Sequence, residues 1–407
     1  MIPYGKHYID ETDIQAVVEV LKSGTLTQGR YVEAFEQAVA EYVGAKYAVA
    51  VSSGTAALHL AALAAGVGEG DALATTPITF VASANAGRYV GADVVFADID
   101  PDTINMSVES LRQLVARTPA VRAIIPVHFA GLPCQMSAIK EIADQAGAIV
   151  IEDAAHALGA SYPDGSRIGA CRHSLMTIFS FHPVKAIAAG EGGMITTNDE
   201  HIYRKLIRLR SHGVNKLDDP LLLPEQAADT EGPYPWYYEM QELGFHYRIT
   251  DIQSGLAASQ MRHLGAFMAH RKALVERYDH AFTSDTLVRP AQIVDKSCSG
   301  NHIYPVRIDF AAIGKTRRQV MLALRERGVG SQVHYIPVPM HPFYQRMGHV
   351  STDYPEAMHY YSQALTLPLY YDLSFEQLCG ADAAFLAQLQ VHPLSQLSGR
   401  QSAHLCL

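Results

Sequence analysis

The sequence predicts an α/β chain, with a mostly parallel central sheet, helices on both faces and a smaller C-terminal α+β domain. Three observations predict it. Between residues 47 and 151, short apolar runs alternate with helical patterns, as strand–helix–strand crossovers require. A capping box, Thr250-Asp251-Ile252-Gln253, opens a helical pattern that continues to about Phe282, long enough to bridge two units. The chain has 407 residues, 48% hydrophobic and 18% charged, which is enough for one large and one small core.

Taken in order, an N-terminal arm carrying Tyr4 precedes a helix from about Glu11, with Ile14, Val17, Val18 and Leu21 on one face and Gly24 stopping it. A polar loop, Gly24-Thr25-Leu26-Thr27-Gln28-Gly29, leads to a second helix with Val32, Phe35, Val39, Tyr42 and Val43 inward. Strands are expected at 47–51, 73–75, 94–96, 123–127 and 148–151, with helices near 55–65, 79–90, 107–116 and 136–146. A further buried run ends in Ser180. Prolines and glycines mark a long loop over 214–243 that holds the single tryptophan, Trp236. Beyond the bridging helix, strands are expected near 302–309 and 331–335, and helices near 316–327, 355–364 and 375–391. The expected units are 1–30 (arm and first helix), 31–255 (large cofactor-binding domain), 256–394 (linking helix and small domain) and a frayed tail, 395–407.

Composition excludes several classes. A net charge of −9 with scattered Lys and Arg argues against nucleic acid as a partner. No run reaches the roughly 18 apolar residues that cross a membrane, and no secretory signal is visible. Five cysteines without a C-x-x-C pair read as reduced thiols in a cytoplasmic protein. The 19 histidines show no metal-ligand spacing, so no metal is expected.

The chemistry gathers around Thr177-Ile178-Phe179-Ser180-Phe181-His182-Pro183-Val184-Lys185, closed by Gly190-Glu191-Gly192-Gly193. A lysine within an apolar wall tends to lose its proton, and the free amine can form a Schiff base with an aldehyde or ketone. Ser180 offers a hydroxyl to a phosphate. That pattern fits attachment of pyridoxal 5'-phosphate (PLP), although a surface lysine after a core strand would read the same. Ser52-Ser53-Gly54-Thr55-Ala56, between a strand and a helix, can face an anion at the helix N-terminus, or simply cap it. Ile151-Glu152-Asp153 ends an apolar strand in two carboxylates that must point to opposite faces, so only one can serve a given pocket. A buried carboxylate there needs a cationic partner, which a protonated pyridine or a structural ion pair could supply. Phe80 could stack on a flat ring or belong to the core. No G-x-G-x-x-G follows a strand, Gly314-Lys315-Thr316 lacks the rest of a P-loop, and Ser137-x-x-Lys140 lies mid-helix. What favours a PLP pocket is the order of these features, each at a strand end.

With these motifs in place, the chain resembles the DegT/DnrJ/StrS family of PLP-dependent nucleotide-sugar aminotransferases, of aspartate-aminotransferase-like fold (fold type I). The resemblance runs to about residue 390. It rests on the stretches above and on Pro77-Ile78-Thr79-Phe80, Glu152-Asp153-Ala154-Ala155-His156, Arg210-Ser211-His212-Gly213, Tyr247-Arg248-Ile249-Thr250-Asp251 and Gln332-Val333-His334-Tyr335. Pro235-Trp236-Tyr237-Tyr238-Glu239-Met240 and His182-Pro183-Val184-Lys185 are most similar to the branch that makes UDP-4-amino-4,6-dideoxy-N-acetyl-β-L-altrosamine, a step toward pseudaminic acid.

The resemblance implies that Lys185 carries the cofactor and moves the proton, that Asp153 holds the ring nitrogen and that Phe80 stacks on the ring. It further implies that Thr55, Ala56 and Ser180 bind phosphate and that His156 lies near the ring oxygen. Tyr4, Gly24, Thr25, Leu26, Thr27, Ala56 and the run Arg307-Ile308-Asp309-Phe310 are the implied contacts of a UDP-linked keto sugar, with L-glutamate as amino donor. The family usually has Asn at the position of His246, reaching the phosphate in the other subunit of a homodimer with shared sites. Other readings stay open: a perosamine-type aminotransferase, a PLP-binding sugar dehydratase, which Lys185 argues against because that branch carries histidine there, and a non-catalytic sensor.

Overall fold

The computed structural model describes residues 1–215, 219–282 and 287–378. Helix α1 (Glu11–Lys22) opens on an Asp10–Asp13 capping box. Its packing differs from expectation. Val20 and Asp13 face inward, while Ile14 and Leu21 are 49% and 55% exposed. The cause is Gly255, where a Cβ would lie 2.5 Å from Val20 Cγ2, so the bare backbone admits Val20. Helix α2 (Arg30–Val43) buries Val32, Phe35, Val39 and Val43, and Gly44 ends it in the left-handed conformation that suits glycine.

The central sheet has seven strands: β1 (Tyr47–Val51), β2 (Ala72–Thr75), β3 (Asp93–Phe96), β4 (Val121–Ile124), β5 (Ile149–Asp153), β6 (Met176–Ser180) and β7 (Gly193–Thr197). Their order is β1-β7-β6-β5-β4-β2-β3. The pairs β2/β3, β2/β4, β4/β5 and β5/β6 are parallel, and β7 runs antiparallel to both of its neighbours. Sequence periodicity did not separate β7 from the glycine turn before it. The crossover helices are α3 (Gly54–Ala64), α4 (Val81–Tyr89), α5 (Val108–Arg117), α6 (Met136–Ala146) and α7 (Glu200–Arg210). One face of the sheet is covered by α2, α5 and α6, the other by α3, α4 and α7, giving two apolar layers.

The long loop carries a small pair, β8 (Ala228–Asp229) and β9 (Gly232–Pro233), and holds Trp236 72% exposed against Tyr234. Helix α8 (Asp251–Phe282) follows, running under α1 and α2 and into the C-terminal unit. There β10 (Val288–Pro290), β11 (Tyr304–Ile308) and β12 (Ala364–Leu367) form an antiparallel sheet, with α9 (Arg317–Glu326), α10 (Pro342–Arg346) and α11 (Pro355–Gln363). This fold type I architecture is the one expected. The segment 331–335 is not a strand. It joins β12 through a bridge from Gln332 to Thr366 and a hydrogen bond between His334 Nδ1 and Thr366 Oγ1, and it lines the cavity described below. The helix expected at 375–391 lies outside the described residues beyond 378, as does the tail from 395.

Candidate active site

The carboxyl ends of β5 and β6 meet the N-terminus of α3 at a cavity of about 670 Å³. This is where ligands enter open α/β sheets, because loops and helix N-termini converge there. Lys185 lies deep in this cavity with part of its surface open to it. Burial pulls its amine down to about 8, and Asp153 opposes that only in part. The neutral amine a Schiff base requires is therefore accessible near physiological pH.

Asp153, at the end of β5, is 5% exposed. Its Oδ2 accepts from Ser83 Oγ at 2.6 Å and its Oδ1 from the Ala155 amide at 3.1 Å. No ion pair to it occurs among the described residues. A buried carboxylate held by neutral donors is the partner a protonated ring nitrogen needs. Phe80, preceding α4, is 59% exposed with its ring on the cavity, leaving a broad apolar face for a flat ligand.

The phosphate end is equally specific. Ser53 caps α3 by accepting from the Ala56 amide at 3.1 Å. The amides of Gly54 and Thr55, in the first turn, have no carbonyl within the helix to meet. A Cβ on Gly54 would lie 2.9 Å from Ser180 Cβ, so the absent side chain lets the helix end and the serine share one cradle. Carboxylate, apolar face, amine and anion cradle occur around one cavity in the arrangement PLP would use. Asp153, Phe80, Lys185, Thr55 and Ser180 would hold it.

The family match covers residues 7–380. The chain belongs to the DegT/DnrJ/EryC1/StrS aminotransferase family. It is 39% identical over 375 residues to the Bacillus subtilis spore coat polysaccharide biosynthesis protein SpsC, covering 92% of this chain and 93% of that one. It is 34% identical over 378 residues to the UDP-4-amino-4,6-dideoxy-N-acetyl-beta-L-altrosamine transaminase of Campylobacter jejuni, covering 92% and 94%. Among solved structures it resembles Helicobacter pylori PseC, an aminotransferase involved in the biosynthesis of pseudaminic acid. That TM-score is 0.86 at 29% identity, covering 95% and 99%. It also resembles the PLP form of Spr1654, a putative sugar aminotransferase from Streptococcus pneumoniae, with TM-score 0.84 at 28% identity, covering 95% and 98%. The protein is a PLP-dependent sugar aminotransferase.

Within this family member the remaining expected residues separate into three groups. Tyr4, Thr55, Phe80, Asp153, His156, Ser180 and Lys185 all line the cavity. Gly24, Thr25, Leu26 and Thr27 are exposed in the loop after α1, away from this chain's own cavity. His246 is also exposed, bridged to Ser211 with its ring 5.3 Å from His212. The third group corrects the expectation. Arg307 is buried with its guanidinium on Pro101 O, and Ile308 is 0% exposed in the small core. Asp309 Oδ1 accepts from the Ala312 amide, and Phe310 packs against that core. None of the four lines this chain's own cavity: Arg307 and Ile308 belong to β11, the central strand of the small sheet, and Asp309 and Phe310 follow its end. Ala56 is also 5% exposed and its amide is already taken by Ser53.

The structure adds residues that sequence reasoning missed. Ser83 holds Asp153, and its place in α4 left no signal in the chain. Tyr335 donates or accepts at His156 Nε2 over 2.9 Å, and His334 and His302 complete that wall. The Gln332-Val333-His334-Tyr335 motif was visible without a role attached, and nothing distinguished His302.

Proposed function

We propose that this aminotransferase moves the amino group of L-glutamate to C4 of a UDP-linked 4-keto-6-deoxy-N-acetylhexosamine, giving UDP-4-amino-4,6-dideoxy-N-acetyl-β-L-altrosamine. The observation that carries the reaction is Lys185 and Asp153 on one cavity, where the carboxylate is near enough to act on the amine. When bound, PLP supplies an aldehyde that takes the amino group and a ring that stores the electron pair released at the reacting carbon. Asp153, held in place by Ser83 and the Ala155 amide, would keep the ring nitrogen protonated. Phe80 would cover one face of the ring and exclude water from it. Lys185 Nζ, as a neutral amine, would remove the proton from the donor's α-carbon. In the second half-reaction the same Nζ delivers a proton to the sugar carbon, since a flexible arm reaches both positions. Tyr4, at the mouth, is available to the sugar.

The substrate assignment is supported by the 34% identity to the Campylobacter transaminase and the likeness to PseC. One observation favours a second reading: identity to the spore coat polysaccharide protein is higher, at 39%, so a different nucleotide-linked keto sugar is the alternative. We further infer a homodimer with shared sites, because the 24–27 loop and His246 are exposed and away from their own cavity. The described cysteines are free, which suits the cytoplasm.

The test is turnover of glutamate with UDP-, GDP- and dTDP-linked 4-keto sugars, followed by NMR of the product. Turnover of the UDP substrate with the altrosamine configuration at C4 is expected. A GDP- or dTDP-linked product, or the opposite configuration, would overturn the substrate assignment while leaving the transamination intact.

A further inference from the structure

His156 and His302 form a pair against the rear of the cavity. They are 7% and 4% exposed, and their rings lie 4.5 Å apart at 42°. His156 Nε2 meets the Tyr335 hydroxyl at 2.9 Å. The Nδ1 atoms of both rings are buried with no hydrogen-bond partner. Burial without a protein partner opposes charge on an imidazole, since no protein acceptor meets the added proton.

The backbone that presents His302 is unusually constrained. Ala130 (φ 56°), Gly131 (φ 97°) and Asn301 (φ 44°) all occupy the left-handed region, and the two non-glycine residues there are conformations that L side chains rarely adopt. A Cβ on Gly131 would lie 2.8 Å from both the Asn301 nitrogen and the His156 carbonyl oxygen. The His302 amide donates to Ala130 O at 2.9 Å. On the other side, Arg271 of α8, itself 2% exposed, donates to the His302 carbonyl at 3.0 Å. Two strained positions and a buried arginine fix the backbone on both sides of His302, a residue that plays no part in the proton transfers at Lys185. Strain of this kind persists where surrounding structure over-determines it, most often at functional sites.

We propose that His302 is a positioning residue for the transamination, which acts through His156 by packing over its ring and excluding water, so that His156 stays neutral beside Lys185. The inference rests on the cavity being the PLP site. A cation at His156 would stand next to the Lys185 amine and disfavour the protonated form of the lysine–cofactor link. The groups facing the pair are Lys185, His334, Arg271 and the Tyr335 hydroxyl. Asp153 lies on the same cavity and acts on Lys185 and Tyr335, but among the described residues its hydrogen bonds go to Ser83 and the Ala155 amide and none reaches either imidazole, so neither ring is paired with a carboxylate. Burial, then Lys185, holds both imidazoles well below their usual range, in agreement with the geometry.

The experiment is a pH titration of the visible absorption band of the PLP-loaded protein, wild type against His302→Ala, His302→Phe and the double variant His302→Ala/His156→Asn. His302→Ala opens a water-sized space at His156 Nδ1. Its band is expected to gain a second inflection near about pH 6.5, the ordinary imidazole range. His302→Phe keeps the site dry and should follow the wild type, and the double variant should lose the added inflection. A His302→Ala profile that superimposes on wild type would overturn the proposal, as would an inflection that survives in the double variant. Should His302→Ala fail to fold, His302→Asn takes its place with the same expectation. Absence of any lysine-linked band in the wild type would instead overturn the assignment of the cavity, so the two failures read differently.

Discussion

Glu152 and Asp153 are adjacent on β5 and almost equally buried, at 0% and 5% exposure, yet they live on opposite faces of the sheet and have opposite surroundings. Glu152 points away from the cavity and is saturated. It accepts from Tyr162 OH, from Ser174 Oγ at 2.5 Å, from Thr177 Oγ1 at 3.2 Å and from His128 Nε2 at 2.8 Å. Burial disfavours a charged His128 and the carboxylate favours it, but the Cys134 amide aimed at His128 Nδ1 leaves room for one ring proton only. Burial alone would raise Glu152, and its donors outweigh that, holding it below its ordinary 4.5. Asp153 has two donors and, among the described residues, no ion pair. One carboxylate is finished by the fold, and the other is left for a ligand to finish. A structural buried acid can thus be told from a binding one by whether its hydrogen bonds are complete.

The largest test of that contrast is on the cavity side. Lys185→Ala should lower multi-turnover amination by at least about 10³-fold, since it removes both the attachment point and the proton carrier. Appreciable steady-state turnover by that variant would refute the assignment. Asp153→Asn should retain the fold and lose about 10²-fold or more in kcat, because an amide does not stabilise a protonated ring nitrogen. Initial rates with glutamate, beside far-UV circular dichroism, check this.

On the other face the effect should move from activity to stability. Glu152→Gln leaves converging donors without enough acceptors and should cost about 1–3 kcal/mol in urea unfolding. Its kcat should stay within a few-fold of wild type, and a catalytic loss as large as that of Asp153→Asn would erase the comparison. Because the folded Glu152 is held below 4.5, its contribution is present above about pH 4.5 and lost as pH falls through the folded value. Wild type should therefore lose more stability than Glu152→Gln on acidification.

The smallest effect concerns apo Lys185. Its amine titrates at about 8 when folded against an ordinary 10.5. Between those values the unfolded chain binds more protons, so apo stability should rise with pH across that window. The rise should be absent in Lys185→Met, and equal pH slopes for the two proteins would count against a depressed amine.

Much of this was legible in the chain. The alternation that predicts the parallel sheet survives because crossover strands buried on both faces read as short apolar runs. Lys185, Asp153 and Phe80 were legible because each follows a recognisable strand end. Other features were not. The face of α1 was misread because Gly255, more than 230 positions away, decides which side of the helix can approach α8. The segment 331–335 has strand-like composition but borders the cavity, where no neighbouring strand completes a ladder.

By itself the sequence determined the fold class, the family and the candidate amine and carboxylates, because those depend on residue type, local period and order along the chain. That Glu152 is saturated while Asp153 opens on the cavity, that Arg307 and Ile308 of β11 are buried, and that His302 packs against His156 were decided only by the tertiary structure. The reason is common to all three. Solvation and hydrogen-bond completeness are set by groups distant in the chain, and no local pattern records them.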